Sequence, residues 1–218
     1  MQCKKVTASR EQLQDPAAAE WRAIAGEALK LDATPLANQP SEYIKASRDE
    51  KQIGKVRSLL VQAAHNGREI FFRLSWEDAN QNVEITDNNQ FPDGCGILMP
   101  LAGGDPPIDE MGSKDAPVNA WFWRADLKDQ PHNTIAKGLG STQFSKTCPI
   151  QTKSLWGAGA WAVVFSRALT VPELKEETTQ LAAGQAVKVG FAVWEGSNGE
   201  RAGVKSFSKE WRELSLEA

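Results

Sequence analysis

Ile70-Phe71-Phe72-Arg73-Leu74-Ser75-Trp76 is the stretch that decides the fold. Its apolar residues Ile70, Phe72, Leu74 and Trp76 recur at every second position, the period of a half-buried strand. The same period returns in Val118-Asn119-Ala120-Trp121-Phe122-Trp123, in Ala160-Trp161-Ala162-Val163-Val164-Phe165-Ser166 and across residues 187–194. Turn chemistry separates these runs, in Asp87-Asn88-Asn89, Gly103-Gly104-Asp105-Pro106-Pro107 and Gly196-Ser197-Asn198-Gly199. Short apolar strands between Gly, Pro and Asn loops describe a mainly β fold, an antiparallel β-sandwich with a few short helices. Residues 10–30 are helix-favouring by propensity, but Asp15-Pro16 interrupts them, leaving a helix or a loop with one helical turn. No repeat, low-complexity tract or linker divides the chain, so residues 1–218 are expected to form one domain.

Composition narrows the function classes. Lys plus Arg number 25 against 28 Asp plus Glu, a net charge of −3, and this lacks the basic footprint that displaces counterions from nucleic acid. The mean hydropathy of −0.43 and the absence of any run near the roughly 20 apolar residues of a bilayer-crossing helix predict no transmembrane helix. Met1-Gln2-Cys3-Lys4-Lys5 carries no secretory signal pattern, so the chain is expected to be cytoplasmic, already processed, or exported attached to a partner. Cys3, Cys95 and Cys148 are odd in number and far apart, without CxxC or CxxCH. They read as free or half-buried thiols rather than as a zinc site, an iron–sulfur cluster or a covalent haem attachment.

The C-terminal region is the most legible. Val187, Val189, Phe191 and Val193 share one strand face, and Lys188, Gly190, Ala192 and Trp194 share the other. After a loop over 195–203, residues 204–211 can return antiparallel as a hairpin. Gly190 and Ala192 leave a shallow gap on that second face, where a flat ligand or a bulky neighbour could lie against the backbone.

Catalytic motifs are missing. There is no GxSxG and no P-loop, Gly138-Leu139-Gly140-Ser141 being only a turn-like cluster. His65 reads as a turn or satisfied structural histidine, His132 as a solvent-exposed loop residue, and no carboxylate pair stands in a diagnostic spacing. By this route the chain is a binding or carrier domain.

Three segments resemble a known family, the haem b-binding gamma subunits of type II enzymes of the dimethyl sulfoxide reductase family. They are Met111-Gly112 followed by Pro117-Val118-Asn119-Ala120-Trp121-Phe122-Trp123-Arg124-Ala125; Trp161-Ala162-Val163-Val164-Phe165-Ser166-Arg167; and Phe191-Ala192-Val193-Trp194-Glu195-Gly196 with Glu200-Arg201-Ala202-Gly203-Val204-Lys205-Ser206. His65-Asn66-Gly67 before a strand is similar too, and the resemblance covers about residues 55–215. It implies a β-sandwich holding one non-covalent haem b through a Met and a Lys on the iron. Such a subunit relays electrons between an iron–sulfur beta subunit and a soluble acceptor such as a cytochrome c, while a molybdenum-containing alpha subunit carries the substrate chemistry. The family works outside the cytoplasm, so a periplasmic location follows, by export with a partner subunit; unpaired cysteines agree with folding before export.

The residues bear partly on the ligand choice. Apart from Met1 the chain has Met99, in the apolar run Ile97-Leu98-Met99-Pro100, and Met111, in a polar loop ahead of an aromatic strand. The family motif has its Met at the second place, so Met111 is the first candidate for the iron and Met99 the reserve. A lysine ligates only as the neutral amine, so it must be desolvated. Lys205 matches the Gly-x-Lys-Ser part of the family pattern, and Lys188 shares the face of Gly190 and Ala192; both stay candidates, Lys205 slightly ahead. Trp121 and Trp123 face one way and Phe122 the other, so one set can line a pocket while the other fills the core. Arg68, Arg73 and Arg124 are candidate propionate partners, with no spacing that selects among them. The alternative from another class is a carbohydrate- or small-ligand-binding sandwich without redox activity, its aromatics forming a stacking platform.

Overall fold

The computed structural model describes residues 1–85 and 90–218, so the expected turn at Asp87-Asn88-Asn89 lies outside the described residues. The strands among them are β1 (Gln2–Lys5), β2 (Gly26–Lys30), β3 (Asp32–Ala33), β4 (Ser58–His65), β5 (Glu69–Glu77), β6 (Gly94–Pro100), β7 (Val118–Arg124), β8 (His132–Ala136), β9 (Gln143–Phe144), β10 (Gln151–Gly157), β11 (Ala160–Ala168), β12 (Ala186–Trp194), β13 (Ser206–Phe207) and β14 (Arg212–Leu216). Two short helices, α1 (Arg10–Gln14) and α2 (Glu42–Ser47), and a few 3₁₀ turns complete the chain.

All four strands read from alternation form, as β5, β7, β11 and β12. Hydrogen bonding links the strands in the order β10-β11-β5-β4-β1-β14-β12-β6-β7-β8-β9, and β12 belongs to two layers. Its first half, Ala186 to Val189, pairs with β14, and its second half, Gly190 to Trp194, pairs with β6. The chain of strands thereby folds over at β12, and the two halves face each other. Phe72 of β5 meets Trp121 of β7 edge-on at 5.7 Å and Phe191 of β12 at 6.4 Å, and Trp161 of β11 meets Trp123 of β7 at 5.0 Å. These aromatic contacts run from layer to layer, not along a ladder, which is the packing of a sandwich core. Pairing is antiparallel except at β1, which runs parallel to both β14 and β4.

The N-terminal region departs from its propensity. Ser9 caps α1 in a reciprocal box with Gln12, and the helix stops at Asp15, as the proline at 16 requires. Gly26-Glu27-Ala28-Leu29-Lys30, helix-favouring by composition, is strand β2 on β4, with Leu29 buried in the core. Pairing and burial of one face override a propensity worth a few tenths of a kcal/mol per residue.

Candidate functional site

The site lies outside the sandwich core, on the outward face of the second layer. Because Cys95, Ile97 and Met99 of β6, Trp121 and Trp123 of β7, and Val189, Phe191 and Val193 of β12 point into the core, their alternate neighbours point out. Register brings those neighbours into rows: Gly190, Leu98 and Ala120; Ala192, Gly96 and Phe122; Trp194, Gly94 and Arg124. Five of these nine residues are Gly or Ala, so the centre of the face is nearly bare backbone. A Cβ on Gly96 would lie 3.0 Å from the Trp121 carbonyl oxygen and 3.7 Å from the Trp194 ring. The gap expected at Gly190 and Ala192 is therefore real and continues across two further strands.

Walls rise around this floor to form a cavity of about 630 Å³. Trp194 packs edge-on against Phe122 at 5.0 Å, Phe122 stacks with His132, and His132 meets Phe144 at 4.8 Å. His132 is thus half-buried between two rings rather than a solvent-exposed loop residue, and burial lowers its pKa. Tyr43 on α2 and Phe144 stand exposed at the rim, and Ile108, Met111 and residues 201–205 close another side. A mostly apolar concavity with few polar groups is what a large flat ligand requires.

Two of those polar groups face each other. Lys205 Nζ lies 4.0 Å from Met111 Sδ and 5.5 Å from the centre of the Trp194 ring. Lys205 is only 7% exposed, and among the described residues no carboxylate lies within 4.0 Å of its ammonium. Burial pushes its pKa down to about 8, towards the neutral amine that can donate a lone pair. Local structure fixes its place: Arg201 and Val204 bridge across a tight turn, and the Thr34 N–H and hydroxyl both donate to the Lys205 carbonyl at 3.0 Å. Strand β13 then leaves immediately, paired to β12 and β3.

Met111 is held by strained backbone. The Met111 N–H donates to Ile108 O and the Gly112 N–H to Pro107 O, the paired bonds of a Schellman motif. That motif places its left-handed residue where Gly is usual, and here the residue is Met111, with φ of 58°. A side chain at such a position costs roughly 1–2 kcal/mol, so a thioether is kept where the backbone alone would favour glycine.

The remaining candidates lie elsewhere. Met99 points into the core between the layers. Lys188 is half-exposed and paired with Asp105 at 2.7 Å, away from this cavity. Arg73 bonds to Pro16 O and Gln62, Arg124 is paired with Asp126 at 2.6 Å, and neither Arg68 nor these two line the cavity. The arginine at its edge is Arg201, exposed, with its guanidinium over the Phe91 ring at 4.4 Å. His65 does shape its turn, accepting from the Gly67 N–H at 3.2 Å, but its Nε2 is buried without a partner rather than satisfied.

The family model described as ethylbenzene dehydrogenase matches residues 18–147 and 143–206. A Haloferax mediterranei protein named as a respiratory nitrate reductase haem subunit is 34% identical over 203 residues, 93% of this chain and 68% of that protein. The chlorate reductase gamma subunit of Ideonella dechloratans is 35% identical over 158 residues, 72% of this chain and 64% of its own. The dimethylsulfide dehydrogenase gamma subunit of Rhodovulum sulfidophilum is 29% identical over 164 residues, 71% and 59% respectively. The chain spans about two thirds of the length of these curated relatives. Among solved structures, a Bacteroides uniformis protein described as carbohydrate-binding superposes with a TM-score of 0.61 at 12% identity, covering 100% of this chain and 98% of that one. A family 9 carbohydrate-binding module from Caldicellulosiruptor kristjanssonii, in complex with glucose, gives 0.52 at 9%, covering 100% and 95%. At such identities the likeness is one of fold alone.

Proposed function

The chain belongs to the ethylbenzene dehydrogenase family, that of the gamma subunits of type II dimethyl sulfoxide reductase-family enzymes, and from that premise we propose that it binds one non-covalent haem b and passes electrons. It would do so between the iron–sulfur subunit of a molybdenum oxidoreductase complex and a soluble acceptor such as a cytochrome c. The observation that carries this reading is the desolvated, carboxylate-free Lys205 facing the Met111 thioether over a floor of Gly and Ala.

The residues fit the group. Met111 Sδ and Lys205 Nζ, 4.0 Å apart at the cavity, are the thioether and the amine that would hold the haem iron. A haem supplies a one-electron couple, and a thioether on its iron raises the potential. Lys205 offers an amine whose proton is already loosened by burial, so metal binding has less to displace. Trp194, Phe122 and the bare strands exclude water, and Arg201 offers a cation at the edge for an anionic substituent. We further propose that the complex works in the periplasm after folding in the cytoplasm; the unpaired Cys3 and Cys95 agree with folding before export, and cell fractionation tests the location.

The test is a reduced-minus-oxidised spectrum of the chain titrated with haem. A b-type spectrum is expected, lost or shifted in Met111→Ala and Lys205→Ala and unchanged in Lys188→Ala. A folded chain that stays colourless with haem, or a spectrum indifferent to both Met111 and Lys205, sinks the proposal. Sugar binding by such a colourless chain would favour the carbohydrate module instead.

A further inference from the structure

Away from the cavity, three carboxylates meet at the end of the sandwich. Asp78 directly follows β5, Asp93 directly precedes β6, and Glu195 directly follows β12, so strand ends from both layers converge there. One oxygen of each lies within 4.8 Å of the others, and the residues are 2%, 0% and 6% exposed. Among the described residues no Lys, Arg or His lies within 4.0 Å of any of them, which is an arrangement that like-charge repulsion and desolvation both oppose.

Neutral donors stabilise only part of this charge. Asp93 accepts from the Gly196 N–H at 2.8 Å, the Asn82 N–H at 2.8 Å and the Trp161 indole N–H at 2.9 Å. Glu195 accepts from the Ser197 N–H and hydroxyl. Asp78 uses one oxygen, for the Asn80 N–H at 3.1 Å, and its other oxygen, Oδ2, is buried with no hydrogen-bond partner. A fourth oxygen, Asn82 Oδ1, is also buried and unpartnered, on the residue whose backbone holds Asp93 and whose Cβ lies against Gly196. The Trp76 indole N–H beside Asp78 is a buried donor without a partner, and even with it the two unsatisfied oxygens and three buried carboxylates outnumber the donors, as at a site that holds a cation through oxygen.

We propose that Asp78, Asp93 and Glu195, with Asn82, bind one calcium ion that pins the ends of β5, β6 and β12 together. The all-oxygen donor set calls for a hard cation. Calcium suits it better than magnesium, because magnesium keeps several of its waters and these carboxylates are buried. Burial and the neighbouring carboxylates push Asp78 up to about 7, and burial pushes Asp93 up to about 6, the direction expected of carboxylates crowded together without a cation. The ion would also order the chain that follows Glu195, the loop over 196–204 that delivers Lys205 to the cavity.

The experiment uses the full chain, stripped with a chelator and dialysed, with CaCl2 as the added probe. Calorimetry should show one ion per chain, and a hundredfold excess of Ca2+ over its Kd should raise the unfolding midpoint by about 5–10 °C, with no comparable rise from Mg2+. Tb3+ should give emission sensitised through Trp161 or Trp76 and displaced by Ca2+. Asp78→Asn, which removes the carboxylate with the fewest bonds and keeps an oxygen, should fold and weaken Ca2+ binding at least tenfold. An unmoved midpoint with no displaceable Tb3+ emission overturns the site. So does an undiminished Ca2+ response in the folded Asp78→Asn chain, and an equal response to Mg2+ overturns the choice of calcium.

Discussion

Lys205→Met should make the haem-free protein more stable, not less. The lysine is desolvated with no carboxylate partner, and burial moves its pKa from 10.5 to about 8. The folded pKa is lower than the unfolded one, so below pH 8 both states carry the proton and the full penalty applies. At about 1.36 kcal/mol per unit, a displacement of roughly 2.5 units is worth about 3 kcal/mol at pH 7. As pH rises from 8 towards 10.5 the folded state sheds its proton first, stability rises, and by pH 10 the deficit falls below about 1 kcal/mol. Methionine fills nearly the same volume without the charge, so the substitution should recover most of the 3 kcal/mol at pH 7. For a chain of this size that is an increase of roughly 6–12 °C in melting temperature, or the equivalent shift in urea midpoint. Paired urea titrations of haem-free wild type and variant at pH 7 and pH 10, followed by circular dichroism, read both quantities. A variant less stable than wild type at pH 7, or a difference that does not shrink at pH 10, would refute the claim that the ammonium is buried at a net cost, without a counter-ion.

Three further outcomes follow from the packing and the charges. Ala192→Leu projects from the floor into the cavity, so haem uptake should fall at least tenfold in a spectral titration while the circular dichroism and the melting temperature, within a few degrees, stay those of wild type. Phe72→Ala removes a fully buried ring that touches both Trp121 and Phe191 across the layers, and should cost about 3–5 kcal/mol in chemical denaturation. In the chelator-stripped chain, Asp78 and Asp93 have folded pKa values of about 7 and about 6, above their ordinary value of 3.8. Their contribution is therefore complete below about pH 4 and lost as pH rises through 6 to 7, so the stripped protein should be more stable at pH 5 than at pH 8, and Ca2+ should close that gap.

Period-two alternation made β5, β7, β11 and β12 legible, because each turns one face into the core between the layers; on β5 and β11 the other face is covered in part, Phe71 and Val164 packing with Leu13, Trp21 and Ile24. Strands β3, β9 and β13 are two residues long, and β2 carries helix-favouring residues; pairing partners define all four, and pairing is not a local property of sequence. The same limit applied to the cavity. Gly190 and Ala192 marked a gap on their own strand, but Gly96 and Ala120 extend it only through the register of β12, β6 and β7. Phe122 could be set opposite Trp121 and Trp123, whereas its contacts with Trp194 and with His132 depend on that register too. Nothing local in the sequence marks Arg201, because its place at the cavity edge is set by the turn at 201–204. Asp78, Asp93 and Glu195 share no spacing; what they share is a position one residue beyond a strand end, visible only once the strands are bounded.

Several local rules of stability are broken in this molecule, and around the cavity they are broken together. The floor sets glycine and alanine in the middle of strands, where they weaken a sheet. The wall places a methionine in a left-handed position suited to glycine, and opposite it a lysine is buried without a counter-ion. Each feature alone lowers stability by about 1 kcal/mol or more, and fold alone explains none of them, since a sheet face is equally well built with β-branched side chains and a solvated lysine. A planar ligand that takes a thioether and an amine makes them mutually consistent: the floor becomes its seat, the strained turn its thioether arm, and the displaced lysine pKa its readiness to bind. The folded chain should then be stabilised by ligand in proportion to RT ln(1 + [L]/Kd), so the features that weaken the empty protein are the ones that couple its stability to cofactor loading.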